Sequence, residues 1–372
     1  MIIIRNNLWK LRKTKGKFMQ KYAKPATVRA RTPSALFALV AVMAGAGGAF
    51  TPSAGAAEVN IYSSRHYDAD RQLYALFTAE TGIKINLLQG KSNALVERLK
   101  REGKYSPADL LITVDAGNLG RAQAAGLFQA VRSKVLEAAI PARFRESGGH
   151  WFGLTMRARV IMYHKDRVKP SELSTYEALA DTKWKGRILV RSSNNIYNQS
   201  LVASLIAANG FDKTEAWARR LVANMARRPR GGDRDQIRAV GAGEGDIAIA
   251  NTYYLGRLLA SHSAKDRELT AKIGVFFPNQ KGRGTHVNVS GAGVTKYARN
   301  KAGAIKLLEF LVGPQAQKVF AEANFEYPVN PKAGRSAIVG SWGPFKADSL
   351  NVAVLSKHNA EAVRLMDRAG WR

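Results

Sequence analysis

The sequence of 372 residues contains no cysteine, and its first 57 residues contain no acidic side chain. Without cysteine the chain can form no disulfide, no thiolate metal site and no cysteine-linked lipid anchor. After residue 57, no stretch approaches the ~18 consecutive apolar residues of a membrane-spanning helix. The P-loop, His-Glu-x-x-His, Gly-x-Ser-x-Gly and EF-hand patterns are also absent, and the six histidines are dispersed. These absences remove the commonest signatures of an enzyme.

Residues 1–57 have the pattern of a secretory signal peptide. Ten lysines and arginines precede Glu58 without a balancing acid, and an apolar run at 35–44 leads to small residues that end at Ala57. A basic segment, a short apolar core and an A-x-A site are typical of a cleaved leader, here with cleavage near Ala56–Glu58. The apolar core is too short for an ordinary membrane span, although a retained anchor is the alternative. We therefore expect export to the periplasm.

The charge balance is strongly basic, with a formal net charge of +30. Removal of residues 1–57 leaves +20, and the remaining lysines and arginines are scattered along the chain. A basic stripe would be expected of a nucleic-acid-binding protein, whereas scattered charge indicates a solvated surface or attraction to anionic partners. We expect no nucleic-acid partner.

Beyond residue 57, β-rich runs alternate with helical patterns. The predicted strands are 58–63, 83–88, 108–113, 160–163, 187–190, 246–250, 272–277 and 286–290. The predicted helices are 69–79, 92–100, 199–208, 213–225, 233–240, 301–310 and 315–323. Strands separated by helices predict βαβ units and a parallel sheet. A chain of this length also has room for two lobes.

Tyrosines occupy the positions that open α/β sheets use for ligands. Tyr67 follows the first predicted strand, Tyr197 lies between a strand and a helix, and Tyr253 and Tyr254 follow the strand at 246–250. The carboxyl ends of parallel strands form the ligand-binding edge of such sheets. A single loop tyrosine usually packs against the core, but several at strand ends point to a shared site.

Six segments of the mature chain together resemble the periplasmic ferric-iron-binding proteins of ABC transporters. They are residues 60–67 (NIYSSRHY), 107–113 (PADLLIT), 153–160 (GLTMRARV), 184–187 (WKGR), 253–257 (YYLGR) and 365–371 (LMDRAGW). This is the tyrosine-rich branch of the bacterial transferrin-like solute-binding proteins. The resemblance covers essentially all of residues 58–372. Its most specific part is the Tyr-Tyr pair combined with Arg-His-Tyr after the first strand.

The resemblance implies a type II periplasmic binding protein with an α/β fold and a ligand cleft between two lobes joined by hinge strands. It implies a first lobe of residues 58–155, a second lobe of 156–283, and a return to the first lobe with C-terminal helices over 284–372. It further implies that the protein carries Fe(III) to an inner-membrane ABC permease as a monomer, and catalyses nothing. Relatives on the same fold carry oxyanions, polyamines or thiamine-like solutes, and a secreted tyrosinate-iron enzyme is a further alternative.

The resemblance also implies a set of site residues. The iron ligands fall on Tyr67, Tyr197, Tyr253 and Tyr254, and His66 matches a position that supplies a fifth ligand in some members. Two arginines, Arg157 and Arg257, match basic positions that balance charge or hold a small anion such as carbonate. Arginines 157 and 159 have an alternative role, because they can simply pair with carboxylates where the lobes join.

Elementary chemistry supports this set of ligands. Fe(III) is small, hard and highly charged, and it favours anionic oxygen ligands over sulfur. Phenolate supplies such oxygen, although the proton of free tyrosine leaves only near pH ~10, so the metal must displace it. Four phenolates and Fe(III) sum to a charge of −1, which a permanently charged guanidinium would offset.

Overall fold

The computed structural model describes residues 57–372, so all but the last residue of the predicted signal peptide lies outside the described residues. The strands are β1 (Glu58–Ser63), β2 (Lys84–Gln89), β3 (Leu110–Val114), β4 (Phe152–His164), β5 (Ile188–Leu189), β6 (Ile247–Asn251), β7 (Ile273–Phe276), β8 (Val287–Val294) and β9 (Tyr327–Pro328). The first seven helices are α1 (Asp68–Thr81), α2 (Ser92–Glu102), α3 (Ala116–Ala124), α4 (Lys134–Ala139), α5 (Ile196–Asn209), α6 (Phe211–Ala223) and α7 (Asp233–Gly241). The others are α8 (Thr252–Leu259), α9 (Ala264–Ala271), α10 (Lys301–Val312), α11 (Pro314–Asn324), α12 (Ala337–Gly340), α13 (Val354–Lys357) and α14 (Asn359–Arg368).

The strands form a mixed sheet in the order β2-β1-β3-β8-β4-β6-β5, and β7 and β9 also pair with β4. The pairs β1–β2, β1–β3 and β5–β6 are parallel, as expected for βαβ units. However, β8 is antiparallel to β3 and β4, and β4 is also antiparallel to β6, β7 and β9, so the prediction of a parallel sheet is wrong for these pairs. The direction reverses because β4 carries the chain from one set of strands to another, and β8 later carries it back alongside β4.

The long strand β4 connects two groups of strands. Its first part, Phe152–Ala158, pairs with β8 and β9, whereas Arg159–His164 pairs with β6 and β7. We call β1, β2, β3, β8 and β9 the first strand group and β5, β6 and β7 the second strand group. Almost every residue of β4 is buried, which explains its apolar sequence, because strands covered on both faces lose the apolar–polar alternation.

The predicted helices are all present, and their ends follow from local sequence. The first helix, α1, ends at Gly82, whose φ of 71° is the left-handed conformation that glycine adopts most easily. Gly313 separates α10 from α11, and Pro314 occupies the first position of α11, where its missing N–H costs nothing. Each predicted strand also corresponds to an observed one, with the strand at 160–163 forming the end of β4.

The C-terminal helix α14 packs against α5, and a buried tryptophan, Trp371, follows it. Trp371 is fully buried, packs against Trp217, and donates its indole N–H to the Arg191 carbonyl at 3.0 Å. Because Arg191 lies in the loop between β5 and α5, Trp371 supports the segment that leads to Tyr197. Within residues 57–372, no helix combines the length and apolarity that crossing a membrane requires.

Candidate metal centre

Four tyrosines from three separate elements come together. Tyr67 immediately precedes α1, Tyr197 lies in the first turn of α5, and Tyr253 and Tyr254 lie in the first turn of α8. The Tyr253 hydroxyl donates to the Tyr197 hydroxyl at 3.3 Å, and the ring centres of Tyr253 and Tyr67 are 6.5 Å apart. The adjacent rings of Tyr253 and Tyr254 are 4.2 Å apart. The predicted tyrosines therefore form one cluster. Tyr67 follows β1 of the first strand group, and the other three follow β5 and β6 of the second.

Burial keeps the phenols of Tyr67, Tyr253 and Tyr254 protonated when nothing is bound. Burial raises the pKa of Tyr67 to about 12, and the neighbouring Tyr197 and Glu326 act in the same direction. Burial and the neighbouring tyrosines also raise the pKa values of Tyr253 and Tyr254 well above the ordinary value. A ligand that binds these oxygens as phenolates must therefore displace protons and supply strong positive charge.

Beside the cluster lies a buried cation that has no hydrogen-bond partner in the described part of the chain. Arg157, on β4, is 1% exposed, and its Nε and Nη1 atoms have no hydrogen-bond partner among residues 57–372. Its guanidinium carbon lies 5.6 Å from the Tyr197 ring centre. Burial acts to lower the pKa of Arg157, but Tyr197, Tyr253 and Asp115 raise it overall. The alternative that Arg157 pairs with a carboxylate is thus not what the structure shows.

Arg257 approaches the cluster from α8. It is half-buried, its guanidinium carbon lies 4.7 Å from the Tyr67 ring centre, and its Nη1 donates to Asn324 at 3.3 Å. Arg157 and Arg257 therefore both lie against tyrosines of the cluster.

Arg159, two residues further along β4, pairs with a carboxylate, which is the alternative role given above for Arg157 and Arg159. Its guanidinium donates to the Asp233 carboxylate at 2.9 Å and to the Asn198 side chain at 2.5 Å, and it also donates to Asn251 at 3.2 Å. Because Asn198 follows Tyr197 and Asn251 precedes α8, this one side chain ties together the two elements that carry three of the tyrosines.

A second buried ion cluster supports Tyr67. Arg65 is 2% exposed and donates to Asp70 at 3.0 Å and to Glu326 at 2.9 Å. Its guanidinium carbon lies 5.3 Å from the Tyr67 ring centre. Thr155 of β4 donates to Glu326 at 2.8 Å, so the loop that carries Tyr67 is attached to both β4 and β9.

His66 lies at the surface beside the cluster. It is exposed, and its ring centre is 4.9 Å from that of Tyr67. It lines a cleft of about 720 Å³, together with the basic side chains of Lys91 and Arg191 and with Asn195 from the second strand group's side. His66 is thus near Tyr67 but not enclosed with it.

The donor set fits a hard trivalent cation better than a softer metal. Within residues 57–372 there is no group of three or more His, Asp or Glu side chains placed to hold a metal ion. The converging donors are phenol oxygens, and phenolate suits hard ions such as Fe(III). The partnerless guanidinium of Arg157 matches the excess negative charge that four phenolates would leave around a trivalent ion.

Sequence reasoning missed the residues that hold the tyrosines in place. The roles of Arg65, Glu326 and Asn198 had no local signal, since each depends on a contact with a distant segment or a neighbouring loop.

The fold and the placement of the site at strand ends define an α/β solute-binding protein. Residues 106–346 match the bacterial extracellular solute-binding protein family. The chain is 55% identical to iron uptake protein A1 of Synechocystis over 315 residues, which cover 85% of this chain and 88% of that protein. The chain belongs to the bacterial extracellular solute-binding protein family.

Solved structures agree with this assignment. A Trichodesmium FutA in complex with iron and citrate is 56% identical, covers 85% of this chain and 100% of its own, and superimposes with a TM-score of 0.83. A ferric binding protein from Campylobacter jejuni is 43% identical, covers 84% of this chain and 100% of its own, and has a TM-score of 0.81. These matches confirm the predicted resemblance and the two-lobed α/β class of fold.

Proposed function

We propose that this protein captures Fe(III) outside the cytoplasm and delivers it to an inner-membrane ABC permease. The observation that carries the proposal is the convergence of Tyr67, Tyr197, Tyr253 and Tyr254 beside the partnerless Arg157. The names of the relatives in Synechocystis and Campylobacter jejuni, which state iron uptake and ferric binding, support the same ligand.

The four tyrosines act as phenolate ligands in this proposal. Binding of Fe(III) releases their protons, and the −1 charge of the resulting site is offset by Arg157 beside Tyr197 and by Arg257 beside Tyr67. A water-poor environment strengthens these attractions, and Tyr67, Tyr197 and Tyr253 are each at most 8% exposed. His66 or a small anion in the adjacent cleft completes the coordination.

The two strand groups form the two lobes. Residues 58–155 build the lobe that holds Tyr67, and residues 156–283 build the lobe that holds the other three ligands. Residues 284–372 return to the first lobe, before the C-terminal helix α14 packs against α5 and α6 of the second. Iron then binds where the lobes meet, and β4 together with the segment before β8 forms the hinge. The protein acts as a periplasmic monomer after loss of residues 1–57, and it is a carrier rather than an enzyme.

The proposal is tested by equilibrium iron binding against a competing chelator, with residues 58–372 as the protein. Tyr253→Phe and Tyr254→Phe together remove two hydroxyls while keeping both rings, so iron affinity should fall by several orders of magnitude with little loss of thermal stability. The matched control is Tyr105→Phe with Tyr297→Phe, because these tyrosines are 75% and 46% exposed and lie outside the cluster. Equal iron affinity in the two double variants would refute the tyrosine ligands.

A further inference from the structure

Asp115, at the end of β3, has a backbone conformation that a side chain makes costly. Its φ is 76° and its ψ is 127°, and it is fully buried. Residues with a Cβ avoid this region, and such strain persists only where the surroundings fix it, often at functional sites. Here the Asp115 N–H donates to the Val289 carbonyl of β8 at 3.0 Å, which fixes the turn.

The strained turn directs the Asp115 carboxylate to the neighbouring helix α5. Its Oδ1 atom accepts a hydrogen bond from the Gly117 N–H at 2.8 Å and another from the Ser200 hydroxyl at 2.6 Å. Ser200 is completely buried, and it lies three residues after Tyr197 on the same helix. Residues three apart lie on one face of a helix, so a tether at Ser200 also fixes the turn that carries Tyr197.

Close packing makes this tether part of a rigid contact. A Cβ atom added to Gly117 would lie 3.2 Å from Ile196 Cδ1 and 3.4 Å from Ser200 Oγ. A Cβ atom added to Gly120 would lie 2.2 Å from the Ser356 side chain, on the helix α13 that packs against both α3 and α5. Helices α3 and α5 therefore meet with no room for larger side chains, and the Asp115–Ser200 hydrogen bond fixes the position of one along the other.

Capping of α3 alone does not explain why Asp115 has a positive φ. The other side-chain N-caps in the described part of the chain perform that task with φ between −147° and −63°; they are Ser133, Asn195, Ser263, Asn300 and Ser336. A positive φ is therefore not needed to cap a helix, and the cap explains the bond from Gly117 but not the one from Ser200. The strained backbone is explained if the carboxylate must reach both groups.

We propose that Asp115 is a positioning residue for iron binding, acting through its hydrogen bond to Ser200 as a latch between the two lobes. Asp115 follows β3 of the first strand group, whereas α5 follows β5 of the second, so the bond joins them beside the tyrosine cluster. It holds the Tyr197 hydroxyl within 3.3 Å of the Tyr253 hydroxyl, as a shared metal ligand set requires. The inference rests on the proposed function.

The first test compares Ser200→Ala with Ser204→Ala in the mature protein loaded with Fe(III). Ser204 lies one turn further along α5, is equally buried, and donates only to the Leu201 carbonyl of its own helix. Loss of a hydrogen bond to a carboxylate should speed iron release to a chelator roughly tenfold in Ser200→Ala. Ser204→Ala should release iron at the wild-type rate.

Asp115→Gly separates the latch from simple structural support. Glycine relieves the backbone strain and caps a helix nearly as well, so the thermal midpoint of the iron-free protein should stay close to that of wild type. Iron release should nevertheless be as fast as in Ser200→Ala, and amide exchange at residues 196–200 should be faster without iron. A residue needed only for structure would show lower stability and an unchanged rate of release.

The outcomes distinguish the latch from the iron site itself. Wild-type release rates in both Ser200→Ala and Asp115→Gly would overturn the latch and leave the iron site standing. Failure of wild type and Ser204→Ala to bind Fe(III) at all would overturn the proposed function, and the latch with it.

Discussion

Two arginines on β4, two residues apart, should give opposite results when each is replaced by methionine. Arg157 has no hydrogen-bond partner for its Nε and Nη1 atoms among the described residues, whereas Arg159 donates to Asp233, Asn198 and Asn251. Removal of Arg157 breaks no hydrogen bond among these residues. Removal of Arg159 takes away the closest cation of the buried Asp233 carboxylate, at 2.9 Å, and leaves only Arg191 at 3.5 Å. Arg157→Met should therefore impair iron binding, and Arg159→Met should impair folding.

The magnitudes follow from the geometry. Arg157 lies 5.6 Å from the Tyr197 ring, and two unit charges at this distance interact by about 3 kcal/mol at an effective dielectric constant of ~20. Arg157→Met should thus weaken Fe(III) binding roughly 100-fold. Breaking a buried ion pair costs about 3–5 kcal/mol, so Arg159→Met should lower the thermal midpoint of the iron-free protein by roughly 10 °C.

The assay combines thermal unfolding of the iron-free proteins with equilibrium iron binding against a chelator. The two variants are controls for each other, because both remove a fully buried guanidinium from the same strand. Wild-type iron affinity in Arg157→Met, or a larger loss of stability in Arg157→Met than in Arg159→Met, would refute the assignment of these two roles.

Two further predictions concern pH. Because the pKa of Tyr67 is raised to about 12 and those of Tyr253 and Tyr254 are raised well above their ordinary value, at least three protons must leave on iron binding. Iron affinity should therefore fall roughly 1,000-fold for each unit that the pH falls. A binding titration in a buffered chelator measures the slope, and a flat profile between pH 7 and 6 would contradict phenolate ligation. Although burial acts to raise it, the Arg65 ion pair lowers the pKa of Glu326 below its ordinary value, so the pair stabilises the fold above about pH 4.5 and this stabilisation is lost as the pH falls further. The stability difference between wild type and Glu326→Gln, measured by denaturant unfolding, should therefore shrink on acidification, and a constant difference would argue against the ion pair.

The sequence predicts the tyrosine cluster well because its members carry local signals. Tyr67, Tyr197 and the Tyr253–Tyr254 pair each stand where a β-rich run gives way to a helical pattern, and strand ends meet at one edge of a sheet. Helix boundaries can also be predicted from the sequence, because Gly82 ends α1 and the Gly313–Pro314 pair separates α10 from α11.

The parts that could not be predicted depend on contacts between distant segments. No periodicity distinguishes Arg157 from Arg159, because both lie on a strand that is buried on both faces, and only the position of Asp233 separates their roles. The antiparallel direction of β8 is a property of the path of the chain and not of any segment. The strain at Asp115 arises from hydrogen bonds to β8 and α5, which lie far away in sequence.

The most direct test of the central claim is a visible-absorption titration of residues 58–372 with Fe(III). If four tyrosines bind the metal as phenolates, a charge-transfer band should grow and stop at one iron per chain, and it should be lost when Tyr253 and Tyr254 are both replaced by phenylalanine. Stoichiometric iron binding without colour, or full colour in the double phenylalanine variant, would contradict the account.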